Sequence, residues 1–155
     1  AGQALTIMGA LEGIDREFLE NQTYVINSDQ VVFFDPSQID QTKNSVGVYF
    51  NQGTGSCFYG LDIDNRKVMQ IKEKQKISCN AAAGVFYFTS ALELKNAIQW
   101  GIDTDQQYNG ELYLGPCMEM FDELSYFQTI MKFDLGNIEK INLFKKFCKS
   151  IKEIK

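Results

Sequence analysis

Residues 24–35 read YVINSDQVVFFD, two apolar runs interrupted by Asn27, Ser28, Asp29 and Gln30. Two readings fit the interruption. It is a plain turn between strands, or a strand end that holds the Asp29 carboxylate out to grip a metal. The first run, residues 23–27, is short and nearly continuous in apolar side chains, the pattern of a strand buried on both faces. Before it, residues 4–20 place Ile7, Leu11, Ile14 and Phe18 at helical steps, with Leu5 and Met8 beside them. Helix followed by buried strand is the opening unit of an alternating α/β sheet, in which ligands gather beyond the carboxyl ends of the strands. Asp29 lies just past such an end, which strengthens the metal reading without deciding it.

Downstream, Asp35-Pro36 marks a turn. Residues 46–50 form a strand candidate, and 57–63 and 67–73 flank Asp64-Asn65-Arg66 as an antiparallel hairpin. Residues 83–88, AGVFYF, read as another strand. Ser90 and Glu93 have capping-box spacing, so a helix begins there and runs to about Trp100. A polar loop over 103–110 leads to a short helix expected at 115–124, then a strand at 127–133. A closing helix from about Ile138 carries Ile141, Phe144, Phe147, Ile151 and Ile154 as one apolar stripe. The pattern is that of one mixed α/β domain over residues 1–155.

At 155 residues, 45% hydrophobic and 23% charged, the chain has the composition of a soluble globular domain with a real core. No apolar run approaches the ~18 residues needed to cross a bilayer, and no secretory signal is visible, so a cytoplasmic protein without a membrane partner is expected. A net charge of -5 argues against a nucleic-acid binder. Lys140, Lys145, Lys146, Lys149, Lys152 and Lys155 read as the solvated face of the terminal helix. The cysteines, Cys57, Cys79, Cys117 and Cys148, lack zinc spacing and are expected as free thiols. Histidine is absent, which removes Ser-His and Cys-His nucleophile pairs and His-based zinc sites. Chemistry here must rest on carboxylates, lysines and backbone amides, a set that favours magnesium.

The order of short segments, GQALTIMGAL at 2–11, YVINSDQ at 24–30, FYGLDID at 58–64, IKEK at 71–74, AAAGVFYF at 81–88, NGELYLGP at 109–116 and DLGNIEKINLF at 134–144, resembles the sugar-phosphate nucleotidyltransferase family. NSDQ resembles its bacterial capsule and surface-polysaccharide branch. The resemblance implies a Rossmann-like mixed sheet with flanking helices. It also implies attack of a sugar-1-phosphate oxygen on the α-phosphate of a nucleoside triphosphate, with release of pyrophosphate. Asp29 and Asp134 would be the magnesium ligands. Lys74 would meet the acceptor phosphate, and Glu73 would accept hydrogen bonds from sugar hydroxyls. Gly60 and Gly84 would let backbone approach the sugar, Glu111 would lie near it, and Gly2 and Gln3 would contact the base. On residue pattern alone, plainer readings remain for several of these: a turn or N-cap aspartate for Asp134, an exposed strand-end pair for Glu73-Lys74, tight sheet packing for Gly84, a helix-start carboxylate for Glu111.

One departure stands against these matches. The family's N-terminal strand, Gly-rich loop with its Arg, and Lys-Pro that cradle the triphosphate have no counterpart here. The fold is therefore expected to lack its first strands and its main triphosphate grip, and to expose an apolar edge that favours a homo-oligomer. The chain would be part of a longer enzyme, one half of a split enzyme, or a degenerate homologue that binds without catalysis. The expected partners are a nucleoside triphosphate and a phosphorylated sugar or similar small phosphorylated acceptor. A non-catalytic sugar-phosphate or nucleotide-sugar binding module is the second reading. A metal-dependent glycosyltransferase is the third, although that class favours Asp-x-Asp where this chain has Asn27-Ser28-Asp29.

Overall fold

In the computed structural model, which describes residues 2–153, helix α1 (Gln3–Glu12) opens the chain. The apolar spacing that predicts a helix over 4–20 outruns the real one. Gly13 closes it as the C-cap, its N–H reaching Ala10 O at 3.3 Å. Asp15 is extended and starts a separate 3-10 turn at Arg16–Phe18, where Phe18 is half exposed.

β1 (Thr23–Ile26) pairs antiparallel with β6 (Asn80–Phe88), while β2 (Gln30–Phe34) pairs antiparallel with β9 (Ser125–Asp134). The two halves of YVINSDQVVFFD thus belong to different strand pairs, and the link between them is not a hairpin turn. β1 also corrects an expectation. It is not buried on both faces: Tyr24 and Ile26 are exposed while Thr23 and Val25 are half-buried. The reason is position. Among the described strands β1 pairs with β6 alone and forms an edge of the sheet.

β3 (Ser45–Phe50) sits between β6 and β9, antiparallel to the first and parallel to the second. β4 (Cys57–Asp62) and β5 (Lys67–Glu73) form the hairpin expected around Asp64-Asn65-Arg66, with Arg66 left-handed at φ 51° and Asn65 N–H donating to Asp62 Oδ1. This hairpin leans across the sheet, touching β6 at Phe58↔Ala81 and β9 at Lys67↔Ser125. The result is a mixed seven-stranded sheet in the order β1-β6-β3-β9-β5-β4, with β2 on the far half of β9.

α2 (Ala91–Asp103) begins where Ser90 predicts, its side chain accepting the Glu93 N–H at 3.1 Å. Its buried face, Ala91, Leu94, Ala97, Ile98 and Gly101, packs with Ala4 and Leu11 of α1 against Val46, Val48, Phe86 and Phe88 of the sheet. Next come β7 (Gln107–Tyr108), β8 (Glu111–Leu112) and α3 (Leu114–Cys117), a single helical turn followed by a 3-10 turn at Met118–Met120. The helix expected over 115–124 is therefore shorter; Pro116 fits its first turn, but Phe121 is already extended. A smaller core on the opposite sheet face joins Ile39, Val85, Tyr87 and Phe127 to Val32 and Phe34.

α4 (Ile138–Glu153) lies against β9 through Phe133, whose ring is 5.0 Å from Phe144 and 4.7 Å from Phe147. Ile151 of the expected stripe is exposed, and Ile154 and Lys155 lie outside the described residues. Lys140, Lys145, Lys146, Lys149 and Lys152 are exposed, as a solvated face requires. The cysteines are free thiols. Among the described residues no helix is long and apolar enough to cross a membrane.

Candidate functional site

The Asn27-Ser28-Asp29 link leaves the end of β1 and opens a cleft of about 470 Å³ lined by Gln3, Thr6, Ile7, Asn27, Asp29 and Tyr113, among others. That volume falls within the roughly 300–1,000 Å³ typical of small-molecule sites. Gln3 ties its walls together. Its Nε2 donates to Asn27 Oδ1 at 2.5 Å, and its Oε1 accepts the Leu114 N–H at 3.3 Å. Gly2, the N-cap of α1, is held for packing: a Cβ there would meet Leu112 O at 2.7 Å.

Asp134, at the end of β9, comes to the same place. Gln30 and Asp134 are opposite one another in the β2–β9 ladder, and Leu135 N–H donates to Asp29 O at 2.7 Å. Asp134 Oδ1 accepts the Gly136 N–H at 2.9 Å, and Asp134 Oδ2 lies 2.5 Å from Lys140 Nζ. The turn reading of Asp134 is therefore correct as far as it goes, but the N-cap reading is not: Asn137 Oδ1 caps α4 by accepting the Lys140 N–H. Lys140, then Gly136 N–H, hold the Asp134 carboxyl below its ordinary pKa. Lys132 adds a second cation. Burial pushes its pKa down while Asp134 and Asp29 pull it up, and its Nζ lies 4.4 Å from the Tyr49 ring centroid.

The residues present fit a magnesium ion. A Cβ on Gly136 would lie 3.1 Å from Asp134 Oδ1 and 4.0 Å from Asp29 Oδ2, so both acids present an oxygen to one small region. Among the described residues no third acid, cysteine or histidine joins them. Magnesium accepts that arrangement, because it commonly keeps waters and binds through one or two carboxylates plus substrate phosphates.

The second group lies around the end of β5. Lys74 is left-handed at φ 56°, an uncommon conformation for a residue with a side chain. It directs Nζ to Gly55 O at 2.6 Å, to Glu73 Oε1 at 3.4 Å and to 5.3 Å from the Tyr113 ring centroid. Glu73 is not an exposed strand-end residue. Its side chain is 7% exposed and stands opposite buried Cys57 in the hairpin, so Lys74 is the charge that offsets its burial. Burial, then the neighbouring Glu73, pushes the Cys57 thiol pKa up, which keeps it an inert packing residue. Glu111 lies in β8, not at a helix start, and accepts the Tyr113 hydroxyl at 2.5 Å. That bond, with smaller burial and charge effects, pushes the Tyr113 pKa up to about 12.

Tyr113 thus joins the two groups: it walls the Asp29 cleft, bonds Glu111 and lies beside Lys74. The glycines divide. Gly84 is left-handed at φ 76°, and a Cβ there would clash with Gln30 Oε1, so the Gln30 amide occupies the space beside its bare backbone. Gly60 lies at a hairpin bulge, where a Cβ would meet Gln70 Cβ at 3.3 Å. Its position is explained by the hairpin itself.

No protein-family model matches the chain. No curated protein matches it either. Solved structures do match. A nucleoside-diphosphate-sugar pyrophosphorylase from Vibrio cholerae RC9 superposes with a TM-score of 0.74 at 20% identity, over 92% of this chain and 64% of that one. CTP:phosphocholine cytidylyltransferase from Streptococcus pneumoniae gives 0.65 at 15% identity, over 95% and 64%. The inositol-1-phosphate CTP transferase from T. maritima gives 0.60 at 10% identity, over 90% and 57%. The fold is that of these nucleotidyltransferases. The chain spans less than two thirds of the length of each of the three.

On this nucleotidyltransferase fold, sequence reasoning missed Tyr113, Asn27, Gln30 and Lys132 and set Lys140 aside as a surface lysine. Tyr113 carried a usable signal, lying two residues after Glu111 on the same short segment. Lys132 carried one too: it follows seven apolar or neutral polar residues in its strand and stands two positions before Asp134.

Proposed function

We propose that the protein is the acceptor-side part of a magnesium-dependent nucleotidyltransferase, acting in the cytoplasm within a longer polypeptide. It would join a nucleoside triphosphate to a sugar 1-phosphate or similar small phosphorylated acceptor for surface-polysaccharide synthesis. The observation that carries this reading is the convergence of Asp29 and Asp134 at the mouth of a cleft that Tyr113 connects to Glu73, Lys74 and Glu111.

In this reading Glu73 accepts hydrogen bonds from acceptor hydroxyls, and Lys74 turns from Gly55 O to the acceptor phosphate as a point charge. The Tyr113 ring and Gln3 form walls of the cleft. The acceptor phosphate oxygen forms a bond to the α-phosphorus as the bond to the pyrophosphate oxygen breaks. No protein nucleophile is required, which suits a chain without histidine. Asp29 and Asp134 would hold a magnesium ion, which would supply neutralisation of phosphate charge. The chain's own contribution is positioning and electrostatic preorganisation.

A second reading, a non-catalytic sugar-phosphate or nucleotide-sugar binding module, is favoured by one observation. Among the described residues lining the cleft itself there is no lysine or arginine, so a triphosphate would find side-chain cations only at its mouth, beside Asp134. The test is pyrophosphate release by the longer polypeptide with CTP, UTP, dTTP or GTP, magnesium, and a panel of acceptors that includes glucose 1-phosphate, phosphocholine and inositol 1-phosphate. Release with one pair supports transfer. Tight acceptor binding without release from any pair supports the binding module.

A further inference from the structure

We propose that Lys140 is a resident counter-cation of the Asp29–Asp134 pair: a divalent ion must displace it from Asp134, and it then serves the phosphates that arrive with that ion. The inference rests on the nucleotidyl-transfer reading of the same site. Lys140 Nζ sits 2.5 Å from Asp134 Oδ2. Its backbone N–H is fixed at 3.0 Å on Asn137 Oδ1, so the root of the side chain is anchored while the arm, 48% exposed, is free to swing. The position does not serve the helix. A cation in the first turn opposes the helix dipole, so its favourable partner is Asp134 and not α4 itself.

Lys132 stands two residues before Asp134 in β9 and so on the same face of the strand. Two carboxylates and two ammonium groups leave the site formally neutral without metal. A bare divalent cation entering it meets two like charges and must break the Lys140–Asp134 pair. A cation carried on a triphosphate brings net negative charge, which both lysines attract. The charge arrangement therefore favours entry of metal and nucleotide together over entry of metal alone. Lysine suits this exchange, as a compact charge on a flexible stem that binds phosphate without fixed geometry.

The experiment measures Mn2+ binding to the chain by electron paramagnetic resonance, without nucleotide and then with each nucleoside triphosphate. Wild type, Lys140→Ala, Lys140→Arg and Asp134→Asn are compared, with circular dichroism to confirm that each is folded. Lys140→Ala is expected to bind Mn2+ alone about five-fold more tightly, the size expected on removing a solvent-exposed ion pair. The same variant is expected to bind Mn2+–nucleotide more weakly than wild type, while Lys140→Arg stays near wild type in both. If Lys140→Ala leaves Mn2+ affinity unchanged or lowers it, and Asp134→Asn abolishes binding, the role of Lys140 is overturned and the metal reading survives. If no variant binds Mn2+ with or without nucleotide, or Asp134→Asn changes nothing, both fail.

Discussion

The Leu135 N–H donates to the Asp29 carbonyl at 2.7 Å, a backbone bond between the two segments that carry the site's acids. Together with the Gln30↔Asp134 pairing, it fixes the loop after β1 to the end of β9 through main chain alone. The carboxylates are thereby free of structural duty at Asp29, which is exposed. Asp29→Asn should therefore change stability by no more than about 0.5 kcal/mol in urea unfolding. In the longer polypeptide the same variant should lower magnesium-dependent pyrophosphate release by about 100-fold or more. Loss of fold, or retention of activity, would separate the two roles differently.

Asp134 should titrate below the ordinary aspartate range, because Lys140 and the Gly136 N–H stabilise its charged form. A depressed folded-state pKa stabilises the protein above the unfolded pKa, and that contribution is lost as pH falls through the folded one. Carbon-detected NMR of the Asp134 carboxyl checks this. Lys140→Ala should move the titration upward, toward the ordinary value, since the lysine is the largest cause of the shift.

Tyr113 should ionise near 12, held neutral mainly by its bond to Glu111. Its raised pKa stabilises the fold below the unfolded tyrosine pKa of about 10, and that contribution is lost as pH rises through about 12. Ultraviolet difference titration of wild type against Tyr113→Phe isolates this ring from the other tyrosines. Glu111→Ala should bring the ionisation down toward about 10.

Much of this was legible in the chain. The β4–β5 hairpin was marked by Asp64-Asn65-Arg66, and α2 by Ser90, because turn and cap chemistry is local. Asp29 and Asp134 could be paired only through a resemblance, since their meeting depends on the β2–β9 ladder, which no local pattern announces. Apolar spacing misled at Ile14 and Phe18, where Gly13 ends the helix regardless. It misled again at β1, because a run of Tyr, Val and Ile does not say whether a strand has neighbours on one side or two. Lys140 was hidden among similar lysines, and its bond to Asp134 needs the turn at Gly136 to bring them together.

Gly101 of α2 passes close to α3, where an added Cβ would stand 2.5 Å from Cys117 Sγ. Alanine is a better helix former by about 1 kcal/mol, but overpacking costs about 1–3 kcal/mol. Gly101→Ala should therefore lower stability in urea unfolding. Adding Cys117→Ala removes the clashing sulfur and should recover part of the loss, a coupling that a double-mutant cycle reads directly.

Anomalous scattering from a crystal of the protein grown with Mn2+ and a non-hydrolysable nucleoside triphosphate tests the proposed shared metal site most directly. The account predicts one peak bonded to an oxygen of Asp29 and an oxygen of Asp134, with phosphate oxygens and water completing the shell and Lys140 turned away from Asp134. A metal held elsewhere, or bound to neither acid while Lys140 remains on Asp134, would contradict it.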